Sequence, residues 1–143
     1  MLGNSKELSI NNLINDDNIV INEVYVKGYY CPELKLYGIV WNGVFSNEEY
    51  KFLFDEILDF AEENPISGIY SDVRRQGKVS PTSRNYFKNV VSPRGDKIGI
   101  SKAAVVIEDL TFKIFYLNAI TKLAGKRAKI FSVQDEAIRY LLM

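Results

Sequence analysis

From Ile21 the pattern of apolar and polar positions changes to two β-rich runs, "INEVYVKGYY" and "ELKLYGIVWN", separated by Cys31-Pro32. Two β-rich runs flanking a proline-containing break predict an antiparallel hairpin. In the second run Leu34, Leu36, Gly38 and Val40 alternate with Lys35, Tyr37, Ile39 and Trp41, one face plainly apolar and the other mixed. The period then changes. Tyr50, Leu53, Phe54, Ile57, Leu58 and Ala61 recur at helical spacing, so a helix packs by one face. Ser46 and Glu49 form a capping box at its start, with Phe45 and Tyr50 in the two positions of a hydrophobic staple. Asn64-Pro65 ends it.

"ISGIYSDV" then reads as a short buried strand. A second helix begins with Ser80 as N-cap and Pro81 at the first helical position, where the missing N–H costs nothing. Its apolar side is Tyr86, Phe87, Val90 and Val91. "SPRGD", residues 92 to 96, is expected as a turn, and "KAAVVIE" as the next strand. A third helix starts at Glu108 or Asp109, turns Phe112, Phe115, Ala119, Ile120 and Leu123 inward and closes at Gly125. "RAKIFSV" gives a last strand, and Ser132 is expected to cap a final helix carrying Ala137, Ile138, Leu141 and Leu142. The first 20 residues, rich in Asn, Asp and Ser, are expected as a weakly ordered tail before one domain over 21–143. The order β-β-α-β-α-β-α-β-α implies an α/β fold. Its sheet is mixed, an N-terminal β-hairpin followed by βα units, with helices packed on the sheet.

Composition narrows the chemistry. The 143 residues are 47% hydrophobic and 25% charged, with 18 basic and 18 acidic side chains, the balance of one globular domain. Zero net charge gives no overall attraction for nucleic acid or an anionic membrane. No apolar run reaches the roughly 20 residues of a membrane span. One cysteine, Cys31, cannot form an internal disulfide, and no signal-peptide pattern opens the chain, so the expected compartment is the cytoplasm. Histidine is absent. That removes His-based acid–base catalysis, Ser-His-Asp and Cys-His nucleophiles and His-containing metal sites. Asp55 and Asp59 stand one helical turn apart on an acidic face, an arrangement that is ordinarily solvated. "GKRAK" lacks the spacing of a phosphate-binding loop and precedes a strand. The expectation is no enzyme, no metal and no cofactor.

Three features together, "LKLYGIVWNGVFSNEEY", "IYSDVRRQGKVSP" and "FSVQDEAIRYL", give residues 24 to 142 a resemblance to the SpoIIAA-like proteins of the STAS/SEC14-like group. STAS is the domain of sulphate transporters and anti-sigma factor antagonists. The resemblance implies a helix-flanked sheet and a non-enzymatic role in recognising a partner or ligand. In antagonists of the wider group, a serine at the start of the helix after the third strand is phosphorylated to switch binding. Ser80, Thr82 and Ser83 occupy the corresponding region. The chain departs from that pattern, with Ser-Pro-Thr-Ser in place of Asp-Ser-Ser/Thr-Gly.

Two candidate sites follow. Residues 66 to 95 carry six basic side chains against the single acid Asp72, while residues 46 to 65 carry seven acids and one lysine. A basic loop entering a helix start suits an anion or an acidic partner, which singles out Asp72, Arg74, Arg75, Lys78, Ser80 and Arg84. The competing reading is a plain helix cap with its basic residues solvated or paired to acidic neighbours. The second site is aromatic. Tyr25, Tyr29, Tyr37 and Trp41, in a region that also holds Tyr30, Phe45 and Tyr50, could line a pocket for a small amphipathic or lipid-like ligand or form a homodimer patch. Ordinary core packing is the alternative. The functional expectation is a regulatory module for a protein partner, with a carrier or sensor of an amphipathic ligand as the alternative.

Overall fold

A computed structural model of the chain describes residues 8–108 and 128–143. The expected third helix lies outside the described residues. The rest form an α/β fold on one mixed sheet in the order β1-β2-β3-β4-β5-β6: β1 Ile19–Asn22, β2 Val26–Cys31, β3 Leu36–Trp41, β4 Gly68–Asp72, β5 Lys102–Val106 and β6 Ala128–Phe131. The first three strands pair antiparallel and β3 to β6 parallel.

The hairpin expected at the N-terminal edge is therefore a three-stranded meander. The run "INEVYVKGYY" reverses at Val24, which is 91% exposed, where the Glu23 N–H donates to the Val26 carbonyl at 2.9 Å. Its first two residues, Ile21 and Asn22, complete β1, which begins at Ile19. On β3 both faces are buried: Tyr37, Ile39 and Trp41 join one core cluster, and Leu36 joins a second on the opposite face. A strand covered on both faces loses clean alternation, which is why its second face reads as mixed.

Helix α1, Asn47–Glu63, carries the expected capping box, Ser46 accepting from the Glu49 N–H while Glu49 accepts from the Ser46 N–H. The staple rings of Phe45 and Tyr50 stack at 5.8 Å. Helix α2, Pro81–Tyr86, starts at the Ser80 cap. Beyond it the chain stays helical, contrary to the expected turn at 92–96: a π-helical turn Phe87–Val91 leads into α3, Ser92–Ile98. Pro93 has no N–H to give and its ring crowds the preceding turn, so the coil widens there instead of breaking. Gly99, at φ 112°, ends the segment in the left-handed region open to glycine. Val90, expected inward, is exposed.

The crossovers β3-α1-β4 and β4-α2-α3-β5 step in one direction along the sheet, and both helical segments cover the same face, as crossovers of one hand require. The opposite face is closed by α4, Gln134–Leu141, and by residues 8–18. Helix α4 begins after Val133 without a side-chain cap, so Ser132 does not cap it. The expected weakly ordered tail does not hold over residues 8–20. Two short 3-10 turns, Ile10–Asn12 and Asp16–Asn18, are capped by Ser9 and Asn15, Leu13 is 0% exposed, and the Ile10 N–H donates to Asp135 Oδ1 at 2.8 Å. Side-chain caps on Asn and Ser replace periodic backbone bonding, which leaves no periodicity to read.

Candidate functional site

The basic loop leaves β4 at Asp72, which is 5% exposed. A carboxylate this deep needs donors, and Arg74 supplies all of those seen: its backbone N–H and Nε reach Oδ1 at 3.1 and 3.0 Å, and NH2 reaches Oδ2 at 2.7 Å. This fork lifts the Arg74 pKa above its ordinary value, the hydrogen bonds to Asp72 outweighing the opposing effect of burial. The pair closes the strand end. Around it Val40, Trp41, Arg75 and Glu108 form a polar cleft of about 250 Å³.

Gly77 has a structural task. The Gly43 N–H donates to the Arg75 carbonyl at 2.7 Å and the Gly77 N–H to the Gly43 carbonyl at 2.8 Å, tying the loop to the segment between β3 and α1. A Cβ on Gly77 would fall 2.7 Å from the Gly43 carbonyl oxygen, so the two backbones meet only because the side chain is absent. The glycine serves loop docking.

Past the loop, Ser80 Oγ accepts from the Ser83 N–H at 3.1 Å and donates to Asn47 Oδ1 at 2.5 Å, and Ser83 Oγ donates to the same oxygen at 2.9 Å. Asn47, the first residue of α1, thereby joins the two helix starts. Ser83 is 2% exposed. Of the three hydroxyls singled out by sequence, Thr82 alone is exposed. Arg75 and Lys78 point outward, whereas Arg84 is half-buried and donates through NH1 to the Val79 carbonyl at 2.8 Å.

Part of the charge polarity is consumed locally. Arg94 reaches Asp59 at 2.7 Å and Glu62 at 2.6 Å, and these bonds raise its pKa. Tyr86 donates to Asp55; burial first, and that bond second, push its phenol up to about 12. The structure thus spreads the basic and hydroxyl candidates over an ion pair with the buried Asp72, a helix cap, the half-buried Arg84 and an exposed rim formed by Arg75, Lys78 and Thr82.

The four aromatic candidates do not share a patch. Tyr25 and Tyr37 are buried in the cluster under α1, and Tyr29 lies in the cluster on the opposite face. The Tyr25 hydroxyl donates to the Glu49 carbonyl at 3.0 Å; burial, with Glu49 and Glu23 nearby, raises its pKa to about 12. Burial also raises Tyr37. Only Trp41 of the four faces open space. Its ring lies 4.9 Å from Phe45 and 5.8 Å from Tyr50.

That space is a cavity of about 140 Å³ between the helix layer and the sheet. Among the described residues its wall includes Phe54, Phe87, Val91, Ala103 and Val105, with Ser71 and Arg84 as polar points. Phe54 and Phe87 meet edge to face at 5.3 Å. The π-helical turn puts Phe87 and Val91 on the cavity wall. Apart from Trp41 and Arg84, the sequence reading named none of these as site residues. The available signals were the small residues Ser71 and Ala103 on the strands beneath the helices, and Pro93 and Gly95 within α3.

Among the described residues no group of three or more acidic or cysteine side chains could hold a metal, and no helix is long and apolar enough to cross a membrane. No protein-family model matches the chain and no curated protein matches it.

Proposed function

We propose that this protein is a non-catalytic regulatory module that binds a small amphipathic ligand between its helix layer and its sheet. The observation that carries the reading is the apolar cavity beneath α1 and α2–α3. Its volume sets the ligand's size. About 150 Å³ of apolar space accommodates a benzene-sized molecule, so 140 Å³ suits one ring or a short branched chain. The lack of histidine, the pairing of the buried Asp72 with Arg74 and the resemblance to SpoIIAA-like proteins favour binding over turnover.

Trp41 is the single tryptophan and lines the cavity, so its emission reports occupancy. Titration of the full chain with toluene is expected to shift that emission saturably, and Ala103→Leu, which fills the cavity, abolishes the response. An unchanged response in a folded Ala103→Leu protein would reject the reading.

A second reading rests on the loop from Arg75 to Thr82. Its base is held by the bonds to Gly43, while Arg75, Lys78 and Thr82 face outward, a rigid basic rim suited to an acidic protein partner. Capture from host extract that is lost on Arg75→Ala/Lys78→Ala would support it; partners unchanged by the double substitution would move the interface elsewhere.

A further inference from the structure

The cavity's wall is apolar except at a few points, and the charge at one of them is specific. Arg84 enters the wall half-buried. Its NH1 is held by the Val79 carbonyl at 2.8 Å, which fixes the guanidinium, and a guanidinium has five N–H donors in a planar fork. Among the described residues no acid pairs with it, in contrast to Arg74 and Arg94. Ser71, next to the end of β4, also lines the cavity.

Among the described residues, the other charged groups that touch the cavity do not neutralise Arg84. Asp96 lies twelve residues further along the same helical segment, about 18 Å away at about 1.5 Å per residue. Lys102 directs its ammonium to the Tyr140 and Met143 carbonyls at 3.1 and 2.9 Å, at the end of α4 on the opposite face. The Arg84 end is therefore a preorganised cation beside apolar space.

Resting on the ligand-binding reading above, we infer that the ligand is a small carboxylate whose single-ring or short branched body fills the cavity and whose carboxylate sits on Arg84. One planar fork matches one planar carboxylate. A phosphate dianion would call for more positive charge than this single arginine brings, and a neutral ligand would leave its charge unused.

The test compares benzoate with toluene, which has a similar body and no charge, on the full-length protein at pH 7, followed by Trp41 emission and by ligand-observed NMR. Benzoate is expected to bind about tenfold more tightly than toluene, the scale of one charge-assisted contact near a surface. Arg84→Met should remove that advantage, so that benzoate and toluene bind alike, and Arg84→Lys should recover part of it. Ala103→Leu should remove binding of both. If toluene binds but benzoate has no advantage, or keeps its advantage in a folded Arg84→Met protein, the carboxylate assignment is overturned while the cavity reading stands. If neither probe binds the unaltered protein, both are overturned.

Discussion

The two faces of the sheet are covered in different ways, and the difference separates a closed structural face from an open one. On the face closed by residues 8–18 and α4, Leu13, Leu36, Tyr70, Ala104, Val106 and Ile138 form a tight cluster. A Cβ on Gly38 would come within 2.7 Å of Ile14 and 3.1 Å of Leu13. Short elements with mostly aliphatic side chains can settle into one another there at interior density. On the other face, rings dominate, as Trp41, Tyr50, Phe54 and Phe87 meet in tilted and edge contacts. Rigid rings meet in few geometries, and a helix widened by a π-turn follows the sheet less closely. The open volume falls between them.

The contrast can be broken first by truncation. Leu13→Ala should cost about 3 kcal/mol, since it leaves a hole in a close-packed site. Val91→Ala on the cavity wall should cost about 1 kcal/mol, because its neighbours already border open space. Equal losses in urea unfolding would show that the faces are packed alike.

The ion pair at the end of β4 comes next in size. Arg74→Ala strands a buried carboxylate and should cost about 2–3 kcal/mol, and the double variant Asp72→Ala/Arg74→Ala should recover part of that loss. A double variant no more stable than Arg74→Ala would show that Asp72 stays solvated without its partner.

Enlargement should give opposite signs on the two faces. Gly38→Ala should cost about 1–3 kcal/mol by crowding Leu13 and Ile14, while Ala103→Leu should leave stability unchanged or raise it by about 1 kcal/mol as it fills the cavity. A destabilised Ala103→Leu protein would mean that the cavity is narrower than its volume implies.

The smallest effect at neutral pH is the tyrosine titration. Burial raises Tyr25 on the open face and Tyr70 on the closed face to about 12 from the ordinary 10.0, and Tyr86 reaches about 12 as well. The unfolded chain releases these protons first, so the contribution is fully present below about pH 10 and is lost as pH rises toward about 12. Denaturant midpoints measured across that window should fall. Phe at Tyr25, Tyr70 or Tyr86 should each flatten the decline in part, and an unaltered slope in all three variants would assign the decline to other groups.

Much of the fold was legible from short-range chemistry. The Ser46–Glu49 box, the Phe45–Tyr50 staple and the Ser80-Pro81 start each depend on residues a few positions apart, and each stands where the pattern placed it. Local signals misled where longer contacts prevailed. Pro93 and Gly95 read as a turn, yet Gly95 is buried where its Cβ would make ordinary contact with Leu58 of α1, and the chain remains helical. Ser132 read as a cap, but the helix starts after Val133. The candidate residues followed the same rule. A sequence reveals that Asp72, Arg74, Ser80 and Ser83 are polar, but not that they satisfy one another and Asn47.

By itself, the sequence determined the α/β class, the order of the elements over most of the described chain and, through the absence of histidine, which catalytic chemistry is excluded. These follow from periodicity, capping and composition, which act within one or two turns of backbone. Only the tertiary structure decided that residues 8–18 close one face, that Tyr29 and Trp41 belong to opposite sides of the sheet, and that Arg84 borders an apolar cavity. A cavity is the space left over by side chains from α1, α2–α3, β4 and β5 at once, and no local pattern records what such distant residues fail to fill.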